Sequence, residues 1–365
     1  MSEKTPKVVN KTKVVTDVVT VFANGSIFEG WEDLQVTREL NTAASDFSFQ
    51  ATDKWRTSGT SWRLQPGDKI HIHVGTQSFF TGYVEKMDCS IAAEKRTFTI
   101  SGRSKTGDLV DCSAIGSQFS GLTLREIAVK LCQPFNVKAV MKANPDKVFD
   151  TITIQQGETV FSVLEKLAKQ CKVLMYASYD GNLVFAPQGE ARTSSGLVQG
   201  VNLLSGKASY DNSNRFSEYI VKAQDLSFLG SAKQSTQSTG SVRDFGVTRY
   251  RPLVLVSEQS ADGAGSENRA NYEAKIRAAK ALEVEVEVQG WFQSDFTPWE
   301  INRLVRVDAG FLGVRRQMLI KKIVLNKNNS GTTSNMNLIR ADAYLFDNKN
   351  VKKEDPLGWA KVLKK

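Results

Sequence analysis

The sequence predicts a mainly β protein with α+β insertions, in which each chain has two related antiparallel β-barrel domains and a small α+β domain. Three observations support this prediction. Apolar and polar residues alternate through the first third of the chain, a helical period begins after Thr123, and alternation returns after Glu283. The 365 residues, of which 41% are hydrophobic, are enough for about two to four domains with their own cores.

The first barrel is predicted over residues 18–112, after an N-terminal extension of residues 1–17. Val18 to Phe22 leads into Asn24-Gly25, a dipeptide that favours a two-residue hairpin turn. Three more alternating runs follow, at residues 69–74, 79–87 and 96–100. Such strands form an antiparallel meander, and closing the meander into a barrel removes its exposed edges.

The α+β domain is predicted over residues 113–190. Thr123 and Glu126 have the spacing of a capping box at the start of an amphipathic helix. A second helix is expected to begin near Thr159, and the apolar runs on either side of Asp180-Gly181 are expected to be strands.

The second barrel is predicted in two pieces, residues 191–225 and 282–348. Residues 226–281 between them are an insertion with a mobile loop and a helix. The loop is expected at 226–247, because its Ser, Thr, Gln and Gly residues offer little to bury. The alanine-rich helix is expected at roughly 267–282.

The last folded stretch repeats the first in outline, which suggests that the two barrels share one strand order. The matched positions are offset by 234, 240 and 238 residues, for Lys69 with Arg303, Tyr83 with Ile323, and Phe98 with Met336. Because alternation is common in unrelated strands, the repeat is a hypothesis that only the strand topology can test.

The net charge of +9 lies mostly at the two ends of the chain. Residues 1–20 contribute +2 and the basic C-terminal tail, residues 349–365, contributes +4, which leaves +3 for residues 21–348. No arginine stripe interleaved with aromatics appears in the interior, so specific nucleic-acid binding is not expected. No apolar run approaches the roughly 18 residues of a bilayer span, so no membrane partner is expected either.

The sequence offers little for metal or nucleophilic chemistry. The four cysteines, Cys89, Cys112, Cys132 and Cys171, lack the close pairing of metal and redox motifs. Cys132 and Cys171 lie on apolar faces of predicted helices, which favours small buried hydrophobes in a reducing compartment. His71 and His73 share one strand face, where a polar surface is the expectation and a metal site would need ligands from elsewhere.

Two glycine-rich stretches resemble nucleotide-binding loops but lack the residues that hold phosphate. Asp108 follows Gly102–Gly107 where a phosphate-binding lysine would stand, and an acid there would repel phosphate. Asn268 stands in place of the third glycine after Gly263-Ala264-Gly265. No cofactor and no catalytic residue are therefore predicted.

Two groups of side chains are candidates for assembly. Aromatic residues in loops can cap a barrel end or mark a protein interface, and both interpretations stay open for Trp55, Trp62, Trp291, Phe292, Phe296 and Trp299. Trp359 lies in the tail, which is expected to dock on an acidic partner. Three carboxylates alternate with valine and predict a strand with one acidic face: Glu283, Glu285 and Glu287.

Several stretches resemble the baseplate hub proteins of Mu-like contractile-tailed phages, over roughly residues 18–345. The most specific are residues 215–219 (RFSEY) and 247–252 (VTRYRP), because no periodicity requires those residues in that order. The other matching stretches are residues 28–31 (FEGW), 36–38 (VTR), 80–83 (FTGY), 102–112 (GRSKTGDLVDC) and 158–160 (ETV). The N-terminal extension, the loop from Trp55 to Trp62 and the lysine-rich end depart from the Mu pattern.

The resemblance implies a structural protein of the virion, assembled in the host cytoplasm. It implies a homotrimeric ring whose six barrels meet the hexameric tail tube, or a tube-initiating protein, while the opposite face holds a trimeric central spike. Baseplate wedge proteins are further expected partners, and a tape measure protein is a further candidate. DNA would only pass through the ring, and the face of Glu283, Glu285 and Glu287 would line or approach that channel and repel phosphate.

Two alternatives remain at this point. A cell-wall-degrading hydrolase of a phage tail would need a cleft with two acids whose pKa values differ. A nucleic-acid-binding protein would keep a salt-sensitive affinity for DNA after removal of both basic ends.

Overall fold

The computed structural model describes residues 18–28, 30–52, 64–93, 96–116, 118–143, 145–189, 191–225, 236–256 and 263–341. Strands dominate these residues, which confirms the prediction of a mainly β protein. None of the described helices combines the length and apolar content that a bilayer-spanning helix requires.

The first β-rich unit is an antiparallel meander. Its strands are β1 (Val19–Ala23), β2 (Ser26–Phe28), β3 (Trp31–Glu39), β4 (Asp46–Thr52), β5 (Lys69–Val74), β6 (Gln77–Ile91) and β7 (Arg96–Ser104). Asn24 and Gly25 form the turn between β1 and β2 with φ angles of 47° and 85°, as the dipeptide predicts. The long strand β6 pairs with β5 through its first half and with β7 from Gly82 to Ile91.

The middle of the chain forms the α+β unit around its own apolar core. Its elements are α1 (Gly107–Asp111), β8 (Gln118–Thr123), α2 (Leu124–Cys132), a 3₁₀ turn (Gln133–Phe135), β9 (Ala139–Met141), β10 (Val148–Thr153), α3 (Val160–Gln170), β11 (Leu174–Ala177) and β12 (Leu183–Ala186). The capping box is present, since the Thr123 amide donates to Glu126 Oε2 at 2.8 Å. Thr159 caps α3 by accepting from the Ser162 amide at 3.2 Å.

The last part of the chain contains the second β-rich unit and the insertion. The insertion extends over residues 211–281, because β16 forms a separate sheet with β17 and β18 and does not join the second β-rich unit as the predicted boundary at residue 225 requires. Its elements are β13 (Ala191–Arg192), β14 (Leu197–Val198), β15 (Leu203–Tyr210), β16 (Glu218–Asp225), β17 (Thr236–Arg243), β18 (Pro252–Val256), α4 (Gly263–Lys280), β19 (Leu282–Gln289), β20 (Arg303–Ala309), β21 (Val314–Asn328) and β22 (Gly331–Arg340).

The prediction of a mobile loop at residues 226–247 is wrong for most of the second half of that segment. Residues 236–243 form β17, which pairs antiparallel with β16 along its whole length. Backbone pairing and contact with α4 order this Ser- and Thr-rich strand, so a low apolar content did not prevent folding. Residues 226–235 lie outside the described part of the chain. The helix α4 begins at Gly263, earlier than expected.

One sheet runs through both β-rich units. Its strand order is β15-β19-β22-β21-β3-β4-β7-β6-β5-β1-β2, with β20 attached to β21 and with β13 and β14 attached to β20. Among the described strands this path ends at β15 and β2 and does not close on itself. The prediction of two closed barrels is therefore not confirmed, although the two units share a core that spans the junction.

The internal repeat is visible in the strand pairing. Every pair of β6 with β7 becomes a pair of β21 with β22 when 236 is added to both numbers, so that Gly82–Ser104 becomes Met318–Arg340. The register shift after Val84 recurs after Ile320, at the same place in the pattern. We call β3–β7 the first repeat, and β15 with β19–β22 the second repeat.

The other strands keep the same pairing pattern with other offsets, 237 residues from β4 to β19 and 172 residues from β3 to β15, because the insertion lies between β15 and β19. Val36 pairs with Phe47 in the first repeat, as Ala208 pairs with Val284 in the second. The expected match of Tyr83 with Ile323 is wrong by four residues, because the pairing aligns Tyr83 with Leu319. A shift by an even number of residues leaves the two faces of a strand unchanged, so alternation could not fix the register.

Candidate subunit interface

The two repeats meet inside the chain where β21 pairs with β3. The register runs from Lys322 opposite Glu39 to Lys327 opposite Leu34, with Leu325 opposite Val36. Leu325 and Val36 are completely buried. On the edge of this junction, Lys321 Nζ lies 3.2 Å and Lys322 Nζ lies 3.9 Å from the Glu39 carboxylate. The junction thus combines a backbone ladder, a buried apolar pair and an ion pair.

Two strand edges of the same kind have no partner within the described residues. Residues 86–91 of β6 pair with β7 only, and β15 pairs with β19 only. Both edges expose apolar side chains, with Ile91 77%, Leu204 56% and Tyr210 42% exposed. The repeat relates β6 to β21 and β15 to β3, so the unpaired edges are equivalents of the two strands that meet inside the chain.

The carboxylates of β19 lie on a polar face, as the alternation predicts. Glu285 is exposed and Glu283 and Glu287 are half-buried, while the valines between them are buried. Ser205 Oγ donates a 3.2 Å hydrogen bond to Glu287 Oε2. A cavity of about 520 Å³ on this face is lined by both signs of charge, Lys207 and Lys322 beside Glu285 and Glu287. Whether the face lines a channel stays a prediction.

Two of the aromatic interface candidates are core residues of this chain. Trp291 and Trp299 are only 1% and 2% exposed. The indole Nε1–H of Trp291 donates to the Asn326 carbonyl at 2.9 Å, and its ring packs 5.3 Å from that of Phe79. The connection between β19 and β20 folds back over the core, which an aromatic cluster in the sequence does not reveal.

The remaining aromatic candidates divide into two groups. Phe292 is half-buried and contacts Phe79 edge-to-face at 5.5 Å, whereas Phe296 is 51% exposed and stays available for contact with a partner. Trp55, Trp62 and Trp359 lie outside the described residues.

The described residues bring no catalytic constellation together. The rings of His71 and His73 are 6.3 Å apart, and His71 Nδ1 lies 3.1 Å from Thr81 Oγ1. Burial, with Lys69 nearby, lowers the pKa of His71, which favours its neutral form. In the described part of the chain, no three His, Cys, Asp or Glu side chains are arranged to hold a metal ion.

Two buried arginines are structural residues that sequence reasoning did not assign. Arg38, 1% exposed, donates from Nη2 to the Ala177 carbonyl at 2.6 Å and stacks on Tyr179 at 3.8 Å, so it joins β3 to the α+β unit. Arg215 forms an ion pair with Asp244 in the insertion. Both arginines lie in stretches that carry the family resemblance, which was the available signal.

Comparisons with known proteins agree with this architecture. Three domain families match: the N-terminal domain of Mu phage GpP-like baseplate assembly proteins at residues 18–104, the second domain of gp44-like baseplate hub proteins at 106–187, and the fourth domain of GpP at 262–347. The chain is 31% identical over 360 residues to the baseplate hub protein gp44 of Escherichia phage Mu, with 94% of each sequence covered.

Two solved structures have the same fold over most of their length. The 43 kDa tail protein of prophage MuSo2 from Shewanella oneidensis has a TM-score of 0.81 at 30% identity, covering 89% of this chain and 98% of that one. A tail protein from Neisseria meningitidis MC58 has a TM-score of 0.72 at 21% identity, with the same coverage.

The repeated sheet unit, the α+β unit between its copies and these matches define a phage tail protein. Among tail proteins the sequence match is to the centre of the baseplate and extends over nearly the whole chain. The chain belongs to the family of Mu-type baseplate hub proteins.

Proposed function

We propose that three copies of this chain form a closed ring at the centre of a contractile-tail baseplate. The ring joins the hexameric tail tube to a trimeric spike and surrounds the path of the ejected DNA. The observation that supports the proposal is that the two unpaired edges of the chain are the repeat equivalents of the β21–β3 junction. An edge that pairs with a different edge of the next subunit generates a ring when the rotation closes.

The repeat specifies the register between subunits. Transferring the β21–β3 pairing to the unpaired edges puts Cys89 opposite Ala208 of the neighbouring subunit, because Leu325 is opposite Val36 inside the chain. The same transfer puts Lys86 opposite Asp211 of the neighbouring subunit, as Lys322 is opposite Glu39. The opposite charges are therefore kept at the equivalent position.

Ring closure would satisfy both edges at once. The exposed Ile91 side chain and the Tyr210 ring would be covered by the neighbouring strand. The free backbone groups of β6 and β15 would gain hydrogen-bond partners, which removes the risk of uncontrolled edge pairing. Three chains would then form one continuous sheet with six similar units.

The ends of the repeats differ in a way that suits an adaptor between sixfold and threefold structures. At one end of each repeat the two long strands are consecutive in the chain, and their last pairs are Ile91 with Arg96 and Asn328 with Gly331. At the other end, the first repeat continues into the α+β unit and the second contains the insertion. In the ring, the end with six similar strand connections would match the sixfold tail tube. The opposite end, where α+β units alternate with insertions, would match a trimeric spike.

The polar sheet face suits the wall of a DNA channel. Glu285 is exposed, and the first repeat has Ser48 at the equivalent position. Carboxylates repel the phosphate backbone, so DNA would slide along this face without being held. In this assignment the chain performs no catalytic step, is assembled in the host cytoplasm and remains in the virion, with wedge proteins as outer neighbours.

Cysteine cross-linking tests the ring and its register together. An Ala208→Cys variant keeps the natural Cys89 and should form a disulfide between subunits under mild oxidation, because opposite Cβ atoms in an antiparallel pair lie about 4.5–5.5 Å apart. A denaturing gel should then show a covalent species of three times 40.4 kDa. Ala208→Cys combined with Cys89→Ser should give none.

A matched control tests the register. Ser209→Cys moves the thiol by one residue, to the opposite face of β15, so cross-linking to Cys89 should fall at least about tenfold. Equal cross-linking of Ser209→Cys and Ala208→Cys, or no cross-link from Ala208→Cys, would contradict the proposed pairing.

A further inference from the structure

The two sequence stretches that carry the resemblance most specifically come together in the insertion. Residues 215–219 lead into β16 and residues 247–252 lead into β18, and the two strands run parallel. The segment Asp244–Arg251, which we call the insertion loop, lies between β17 and β18. Neither the repeat nor the ring accounts for these residues.

A buried ion pair holds one end of the insertion loop. Arg215 Nε and Nη2 donate to the two carboxylate oxygens of Asp244 at 2.6 and 2.9 Å, and the two side chains are 7% and 0% exposed. The Gly246 amide donates to Asp244 Oδ1 at 2.8 Å. A Cβ atom at Gly246 would lie 2.0 Å from Arg215 Nη2, so only glycine fits beneath the guanidinium.

The other end of the loop is fixed by Arg251. Its guanidinium donates to the carbonyls of Asn212 and Ser213 at 3.3 and 2.7 Å. It also lies 5.1 Å from the centre of the Phe216 ring. Two backbone hydrogen bonds join Ser217 to both loop ends, to Asp244 at 3.0 Å and to Arg251 at 2.8 Å. The loop is therefore rigid before any partner arrives.

The rigid loop exposes aromatic side chains. Tyr250 is 87% exposed and Phe245 is 54% exposed, and Arg249 between them is also exposed. Tyrosine and arginine are the residue types that most often dominate binding energy at interfaces, and a preformed loop loses little entropy on binding. Because Phe245 and Tyr250 are exposed, they contribute little to the hydrophobic core of their own subunit.

We infer that the insertion loop is a preformed docking surface for another baseplate protein, one that offers an apolar socket bordered by carboxylates. The exposed Arg249 between the two aromatic side chains supports the carboxylates, and residues 211–281 contain ten basic and eight acidic side chains, a net charge of +2. Arg215 and Arg251 are engaged within the fold, so few cations remain for a phosphate backbone and a protein is favoured over DNA.

The inference rests on the proposed ring, since the partner is a component of the same baseplate. It is tested by replacing Tyr250 with the photo-reactive residue p-benzoylphenylalanine in cells that assemble complete tails. Irradiation of the purified tails should link position 250 to a different protein, through a peptide that contains Asp or Glu. The same probe at Phe311, which is 88% exposed and lies outside the insertion, should not label that peptide.

Each other outcome would overturn the inference. Cross-links to DNA, cross-links to a second copy of this chain, or intact tails without a cross-link at position 250 would show that the loop does not dock a partner protein.

A double variant supplies the functional measurement. Phe245→Ala with Tyr250→Ala should reduce the yield of complete tails at least about tenfold, the typical effect of removing a hot-spot side chain. The Cys89 cross-link to Ala208→Cys should be unchanged in that background, which separates loss of docking from failure of the ring. A normal yield of tails would overturn the docking surface and leave the ring untouched.

Discussion

The buried ion pair of the insertion makes a quantitative prediction for Asp244→Asn. This change keeps the shape of the side chain and removes its charge, so that Arg215 remains buried without a counter-ion. Removing one partner of a buried pair costs about 3–5 kcal/mol. Among the described residues, the hydrophobic core of the insertion contains five buried side chains, Tyr219, Val221, Val242, Ala270 and Ala274. The loss equals the burial of about two such side chains, so the insertion should open locally.

Hydrogen exchange measures this opening directly. A cost of about 3–5 kcal/mol corresponds to about a 150- to 5,000-fold loss of protection in β16 and β17, while amides of β21 in the large core should keep theirs. Glu165→Gln is the control, because it removes an exposed ion pair with Lys169 that is worth at most about 0.5 kcal/mol. Unchanged exchange in Asp244→Asn would refute the structural role assigned to the pair.

Two further predictions follow from the charges and thiols. Lys86→Glu places two acids together at the subunit junction and should weaken ring assembly by roughly threefold to tenfold, as measured by mass photometry at several concentrations. Adding Asp211→Lys should restore assembly. If the second change does not restore it, Lys86 and Asp211 are not opposite each other in the ring. Burial raises the pKa of Cys132 to about 12, so its thiol stays protonated and should resist alkylation at about pH 8 in the folded protein. Exposed Cys112 should be alkylated in both the free subunit and the ring, whereas Cys89 should be alkylated in the free subunit and protected in the ring. Equal alkylation of Cys89 in the free subunit and in the ring would count against its place at the junction.

Local signals in the sequence were enough for several elements. The capping residues Thr123 and Thr159, the turn at Asn24 and the two-faced strand around Glu285 all depend on neighbours within a few residues. Such features are decided by local hydrogen bonds and by alternation, which a single sequence displays. The repeat was also detectable, because both copies keep the same order of strands.

The errors arose where distant residues decide the outcome. The alignment of β21 with β6 is fixed by their pairing with β22 and β7, and alternation cannot distinguish alignments that differ by an even number of residues. The strand β17 is ordered by β16 and α4, although its own residues are polar. Trp291 looked like a surface residue because the sequence cannot show that its loop folds back onto Phe79.

Some candidate surfaces depend on local sequence and could be predicted, whereas others depend on distant residues and could not. The acidic face of β19 could be predicted, since it is a property of one strand. The matching edges of β6 and β15 could not, because they are recognised only through the pairing of β21 with β3 within the chain. The insertion loop likewise depends on Arg215 and Asp244, which are far apart in the sequence and meet in the fold.

The most direct test of the account is the strand register between subunits in the assembled ring, determined by cryo-electron microscopy of the purified protein or of whole tails. We predict a threefold ring in which residues 86–91 pair antiparallel with β15 of the neighbouring subunit, with Cys89 opposite Ala208. A ring that leaves these two edges in solvent, or that pairs them in another register, would contradict the account.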